Sequence, residues 1–317
     1  MTIQHPTLDE IRAAAEVQKG VVRRTPLIAA QRQLDRDAEI LLKLETLQPI
    51  TSFKLRGIFH AVATMTEEDR SRGLSTVSAG NTAQALAWCG RHFGVTARSL
   101  MPETAPPPKI AKVEALGGTP VLVPTDEVFR FLRESGWNEE PYSFVHPWID
   151  RRVLVGHGSL GLEILEQDAG VETIYVSVGG GGLAVGVASA AKALRPQVQV
   201  IAVEPATCPA LATSLERGRP TEVSCQTISD GVAVPYITEE MYPLLEGLID
   251  DVVLIDEERT RKALRELLLE EKLLVEPSGA LTYAAALDAP PFVRGRAACV
   301  LSGASVDPAL LRSVLDG

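Results

Sequence analysis

The sequence predicts an α/β protein with two open, mainly parallel sheets and helices on both faces. Two observations carry this prediction. Short apolar segments alternate with helical patterns, and the apolar segments are rich in β-branched residues, as strands covered on both faces are. About eight such segments, at 39–44, 74–78, 97–101, 119–123, 173–178, 198–203, 251–255 and 297–301, suit a two-sheet arrangement at this length. Strand order does not follow from the pattern.

The helices have readable ends. Thr7 and Glu10 form a capping box ahead of an apolar-periodic stretch at 11–17. Helical patterns follow at 81–93, 110–116, 159–167, 183–194 and 257–273, with a short closing helix at 308–315. Gly117-Gly118 marks a helix C-terminus. Pro106-Pro107-Pro108 reads as the turn before a helix rather than a linker. The sequence shows no internal repeat and no low-complexity segment.

Composition narrows the class. The chain has 317 residues, 31 Lys+Arg against 41 Asp+Glu, and a formal net charge of −10. Hydrophobic residues at 45% and charged residues at 23% are ordinary for a globular protein and argue against disorder. The acidic balance argues against nucleic acid, whose phosphates need a basic surface, and against an anionic membrane. No apolar run approaches the roughly 20 residues that span a bilayer. The N-terminal segment lacks a basic region followed by an apolar one, so no signal peptide is expected. Cys89, Cys208, Cys225 and Cys299 are scattered without a CxxC, and free thiols in a reducing cytoplasm are expected.

Four segments carry chemistry. Gly179-Gly180-Gly181-Gly182 follows an apolar strand and precedes a helix. Its backbone N–H groups and the helix dipole suit a small anion such as a phosphate. The spacing matches neither GxGxxG nor a Walker A loop. Lys54 lies between Phe53 and Leu55, and burial there would lower the pKa of its amine, making it a nucleophile toward an aldehyde. Taken alone, the segment reads rather as a solvated lysine at a helix start. Ser78-Ala79-Gly80-Asn81-Thr82 turns a strand end into a helix whose free N–H groups can hold a carboxylate, or simply be capped. Ser302-Gly303 follows the last strand, and the carboxyl ends of parallel strands are where ligands bind in open α/β folds.

In their order along the chain these segments resemble the fold type II pyridoxal-phosphate enzymes, specifically the threonine/serine dehydratase and serine racemase group. The resemblance runs from Arg24-Thr25-Pro26-Leu27 through Ser52-Phe53-Lys54-Leu55-Arg56-Gly57, His146-Pro147, Glu204-Pro205, Asp230-Gly231 and Glu276-Pro277-Ser278-Gly279-Ala280 to Leu301-Ser302-Gly303. It implies a tryptophan synthase β-like fold, with a large cofactor-binding domain from 1–64 and 145–317 and a small mobile domain from 65–144. It also implies pyridoxal 5'-phosphate as cofactor, a small amino-acid substrate and a cytoplasmic homodimer.

By the same resemblance, Lys54 would anchor the cofactor and take the substrate Cα proton. Phe53 would lie against the pyridine ring, Asn81 would bond the ring hydroxyl, and Ser302 would face the ring nitrogen. Gly179, Gly180, Gly181 and Gly182 would cradle the phosphate, and Ser78, Ala79, Gly80 and Thr82 would meet the substrate. A neutral serine opposite the ring nitrogen favours prompt loss of a β-substituent over a long-lived carbanion. The expected reaction is elimination of water and then ammonia from a β-hydroxy amino acid, leaving a 2-keto acid. Racemisation or β-replacement on the same cofactor is the alternative. A nucleotide-binding oxidoreductase is a third reading, disfavoured by the missing GxGxxG.

Departures from the group surround the substrate. The usual Ser-Ser-Gly-Asn-His is Ser78-Ala79-Gly80-Asn81-Thr82 here, and Ala79 has no proton to give. The usual Thr-Gly before Ser-Phe-Lys is Ile50-Thr51, and Gly-Gly-Asn is Gly303-Ala304-Ser305. Where metal-dependent relatives carry an acid six residues after Glu204, this chain has Ala210, so no metal is expected and Glu204 alone is a weak candidate. The chain ends without the regulatory extension of biosynthetic threonine deaminases, and feedback inhibition by an end-product amino acid is not expected.

Overall fold

The computed structural model describes residues 3–32 and 39–316. The strands are β1 (Leu27–Ala29), β2 (Ile40–Leu44), β3 (Leu74–Val77), β4 (Ala97–Pro102), β5 (Thr119–Val123), β6 (Ser143–Phe144), β7 (Thr173–Ser177), β8 (Gln199–Pro205), β9 (Asp251–Ile255) and β10 (Ala297–Leu301). They form a six-stranded sheet of order β1-β2-β10-β7-β8-β9 and a four-stranded sheet of order β5-β4-β3-β6. Every pairing is parallel except β1 with β2, which run antiparallel at the edge of the larger sheet.

The central strands of the larger sheet are mainly apolar because both faces are covered, with Lys43 and Glu204 as buried exceptions. Successive strand residues point to opposite sides. In β10, Ala298 and Val300 enter the core under the helices Arg151–Gln167 and Gly182–Leu194. Ala297, Cys299 and Leu301 enter the opposite core, under Glu257–Leu269 and Pro277–Asp288. Each large apolar side chain among them contributes about 1.5–3 kcal/mol on full burial. Leu74, Leu86, Val145 and Val153 share a third core, which joins the smaller sheet to the helix Lys54–Ala63 and to the helix Arg151–Gln167.

The eight expected strands are present with ends shifted by at most two residues, and the helix Asn81–Phe93 matches its expected bounds. The expected helix at 159–167 begins eight residues earlier, at Arg151, where Asp150 accepts the Arg152 N–H at 2.9 Å. The helix expected from residue 110 starts at Pro107, within the proline cluster, and the one expected to reach 273 stops at Leu269. The Thr7–Glu10 capping box is formed in full.

The cysteine reading needs correction. Cys208 and Cys225 are joined in a disulfide, while Cys89 and Cys299 are free and buried. The chain leaves β8, forms the helix Ala210–Arg217 and doubles back, which brings the two Cα atoms to 4.3 Å across a separation of 17 residues. A pairing made by tertiary return leaves no CxxC signature. No described helix is long and apolar enough to cross a membrane.

Candidate active site

A cavity of about 420 Å³ opens between the carboxyl ends of the two sheets, where several segments of the chain arrive together. The larger sheet delivers Gly179–Gly182 after β7 and Ser302 after β10. The smaller sheet delivers Ser78–Thr82 after β3. The lysine segment is fastened to the β10 exit: Ser52 forms a bridge with Gly303, Phe53 N–H donates to Ser302 O at 3.0 Å, and Ala304 N–H donates to Thr51 O at 2.9 Å. Lys54 is thereby the first residue of its helix and lies on the cavity wall.

All the residues singled out in sequence for cofactor and substrate line this one cavity: Phe53, Lys54, Ser78, Ala79, Gly80, Asn81, Thr82, Gly179, Gly180, Gly181, Gly182 and Ser302. Glu204 lies elsewhere. It is buried beneath the helix Ala210–Arg217, and its carboxylate accepts the N–H groups of Leu211 at 2.7 Å and Ala212 at 2.9 Å. Burial nonetheless pushes its carboxyl up to about 7.

Burial pushes the Lys54 ammonium down to about 8, with the Glu276 carboxylate opposing the shift. The amine sits 5.1 Å from the Phe53 ring centroid, and that ring in turn contacts His157. Depressed basicity makes the neutral, nucleophilic amine accessible near neutral pH. Below the site, Arg56 on the same helix is fully buried and donates to Glu45, Glu163 and Ser159. Arg56 is therefore an anchor for the lysine helix. His146 accepts the N–H groups of Trp148 and Ile149 through Nδ1, a structural role.

The glycine loop has no room for side chains. A Cβ on Gly180 would stand 2.4 Å from the Trp148 ring, one on Gly179 2.9 Å from Val232 Cα, and Gly181 has φ +89°. No described side chain caps the following helix, so its first N–H groups remain free for an anion. Gly180→Ala is expected to weaken phosphate-ligand binding and to cost about 1–3 kcal/mol by overpacking against Trp148. Equilibrium dialysis and a denaturant titration measure the two effects.

Sequence reasoning did not single out several wall residues. Glu276 is buried and accepts from Asn81 Nδ2 at 3.0 and 3.2 Å and from Ser305 N–H at 3.1 Å. Burial pushes its carboxyl up, against those bonds and the charges of Lys109 and Lys54. An acid just before a proline at a helix start reads as a cap, which hides this second placement. Lys109 pairs with Asp230 across the cavity, a contact that its position after the proline cluster does not announce. Three cavity-lining groups, Asn81 Oδ1, Trp148 Nε1 and Ser278 Oγ, are buried without a partner among the described residues. An amine of lowered pKa, a side-chain-free anion cradle at a helix start, and unsatisfied polar atoms around one cavity fit pyridoxal phosphate.

The fold and cavity define an α/β enzyme that holds a phosphorylated aldehyde. Residues 19–303 match the family described as pyridoxal-phosphate dependent enzyme, and the chain belongs to it. It is 36% identical over 315 residues to an L-threonine ammonia-lyase of Thermotoga maritima, covering 98% of this chain and 78% of that protein. Its structure is similar to that of a T.th. threonine deaminase, at TM-score 0.88 and 34% identity, over 95% of this chain and 99% of that one. It is also similar to maize serine racemase, at TM-score 0.90 and 29% identity, over 99% and 98% of the two chains.

Proposed function

We propose that this chain is a pyridoxal-phosphate-dependent lyase that converts a β-hydroxy amino acid such as threonine or serine to a 2-keto acid and ammonia. The observation that carries this is the Lys54 amine, of lowered pKa, sharing one cavity with the Gly179–Gly182 cradle and the neutral Ser302. The relatives named as threonine ammonia-lyase and threonine deaminase support the substrate class.

When bound, the cofactor supplies the electron sink that acidifies the substrate Cα–H. The roles of the chain's own residues follow. Gly179–Gly182 hold the phosphate by backbone N–H groups. Lys54 anchors the aldehyde and afterwards takes the Cα proton on Nζ. Ser302, a hydroxyl rather than a carboxylate, does not hold a proton on the ring nitrogen, which favours early departure of the β-hydroxyl. The Ser78–Thr82 turn, whose Gly80 N–H is directed to Ser78 Oγ at 3.0 Å, receives the substrate carboxylate. Across the reaction, one water leaves on elimination and one is taken up when ammonia is released.

Purified protein should be yellow, and borohydride should bleach it and leave the cofactor's mass on Lys54. Added L-threonine or L-serine should yield keto acid. A colourless protein that gains no mass on reduction sinks the proposal.

The likeness to a serine racemase gives the second reading its support, and Ala79 weighs against it. A racemase needs a proton donor on each face of Cα, and an alanine methyl supplies none. Racemase activity in the native chain is expected to be far below elimination. Ala79→Ser is expected to raise the racemisation-to-elimination ratio about tenfold or more. Chiral chromatography of residual substrate reads the ratio, and no change in it refutes the role given to position 79.

The proposal extends to organisation. Residues 65–144, which contain β3 to β6, would act as a small mobile domain closing on a large one formed by 1–64 and 145–317. The ion pairs Lys109–Asp230 and Arg133–Glu222 cross between these parts and support the reading. A cytoplasmic homodimer completes it, a compartment in which the Cys208–Cys225 pair would be held reduced for much of the time.

A further inference from the structure

The segment 219–229 contains neither helix nor strand, and none of residues 219–228 is fully buried. Its non-covalent ties are few. Arg219 N–H donates to Ser214 O at 3.0 Å, Thr221 N–H to Ser214 Oγ at 3.0 Å, Val223 N–H to Pro235 O at 2.8 Å, Gln226 N–H to Thr207 O at 3.4 Å and Ile228 N–H to Glu257 Oε2 at 3.1 Å, and Val223 alone packs against the main core. With so little apolar burial, such a stretch opens at low free energy unless something else holds it. The Cys208–Cys225 bond joins its middle to the exit of β8.

What lies just beyond makes this matter for the cavity. The chain continues directly into Asp230–Val234, all of which line the cavity. Val232 packs against the phosphate cradle at Gly179, and Asp230 receives Lys109. Within the segment, Glu222 receives Arg133 at 2.7 Å. The stretch thus carries one partner of both ion pairs that reach it from residues 65–144.

We propose that Cys208–Cys225 is a reversible redox modification site, and that its reduction loosens the 219–234 wall and weakens ligand binding in the cavity. The binding half of this rests on the proposed cofactor reading; the modification itself does not. Cys225 is partly exposed and Cys208 is 1% exposed, so the sulfur open to attack is that of Cys225. A dithiol reductant attacks it as a thiolate, the Cys208–Cys225 bond breaks, and Cys208 leaves as a thiolate and is protonated. The second thiol of the reductant then displaces Cys225. In sum, two electrons and two protons pass to the protein pair and the reductant becomes a disulfide. Cys89 and Cys299 take no part, since both are buried and burial pushes their thiols far up.

The test uses the holoenzyme in oxidised and dithiol-reduced form, beside the Cys208→Ala/Cys225→Ala variant. Iodoacetamide with peptide mass mapping should label neither Cys208 nor Cys225 before reduction and both after it. Limited proteolysis should cut within 219–228 faster in the reduced form. The cofactor Kd should rise at least about fivefold on reduction, the low end of coupling between sites. The double variant should match the reduced form and ignore dithiol. Labelling of either cysteine in the untreated, air-oxidised protein overturns the site, as does equal proteolysis of the two forms. Equal cofactor Kd in both forms overturns its link to the cavity. If neither form takes up cofactor, that failure falls on the proposed function, and labelling and proteolysis still decide the redox site.

Discussion

Lys54→Ala is expected to remove turnover while leaving the fold in place. Proton transfer by a positioned side chain is worth about 10²–10⁴-fold, and here the same amine is also the proposed covalent anchor. The loss should therefore exceed the upper end of that range. The fold should survive because what fixes this helix lies elsewhere: backbone bonds from Phe53 to Ser302 and from Ala304 to Thr51, and the Arg56 ion pairs beneath. Circular dichroism and a melting curve beside a keto acid assay separate the two effects. Normal turnover in the variant refutes the assignment.

A second reading of the same amine needs no substrate. The pKa of Lys54 is lowered to about 8, so the neutral form gains population as pH rises through that value. Capture of pyridoxal phosphate by cofactor-free enzyme should accelerate over that interval and level off above it. In Glu276→Gln the opposing carboxylate is gone, and the midpoint should fall further. A capture rate that is flat through pH 8 contradicts the electrostatics of the site.

How much of this was legible in the sequence depends on whether the signal is local. The strands 119–123, 251–255 and 297–301 and the helix 81–93 were readable because their patterns and boundary residues are contiguous. β1 and β6 were not, since strands of three and two residues have no period to detect; the neighbouring strand makes them. The first turns of the helix Arg151–Gln167 contain Gly156 and Gly158, poor helix formers that leave a weak local signal. In the structure Gly156, with Gly161 further along, permits close approach: a Cβ would stand 2.6 Å from Arg56 O at Gly156 and 2.6 Å from Val187 O at Gly161. The disulfide and the strand order depend on chain return and are not local properties at all. The segments that meet at the cavity were legible, while the roles expected of Phe53, Lys54, Asn81 and Ser302 rest on the resemblance rather than on local pattern. Those segments sit at strand ends beside glycines, and a backbone anion cradle needs contiguous residues. Glu276 and Lys109 escaped because each touches the cavity from a segment whose local pattern has a sufficient structural explanation.

Arg56→Met is expected to cost about 3–5 kcal/mol of folding stability, the range for breaking a buried ion pair from one side. Arg56 and Glu45 are both fully buried, and Arg56 bonds Glu45 at 2.7 and 2.8 Å and Glu163 at 2.8 and 2.9 Å. Lys43, also fully buried, bonds Glu163 at 2.8 Å, so the four charges balance. Removing Arg56 leaves Glu45 with only the Thr25 hydroxyl and the Gln48 amide as neutral donors. Burial then raises its carboxyl, where the guanidinium had kept it below 4.5. The acid limb carries the sign. A carboxyl depressed in the folded state adds stability above its unfolded pKa and loses it as pH falls through the folded one. Glu45's share of that limb should be lost in Glu45→Gln, while the share of other depressed carboxyls such as Glu10 and Asp168 remains. Replacing Arg56, Glu45, Glu163 and Lys43 together by apolar residues should cost far less than the sum of the single changes, because no charge is then stranded. Lys54 lies two residues from Arg56 on the same helix. The single variants should therefore lose kcat even below their melting transition, whereas a network that served stability alone would leave kcat unchanged in the folded fraction.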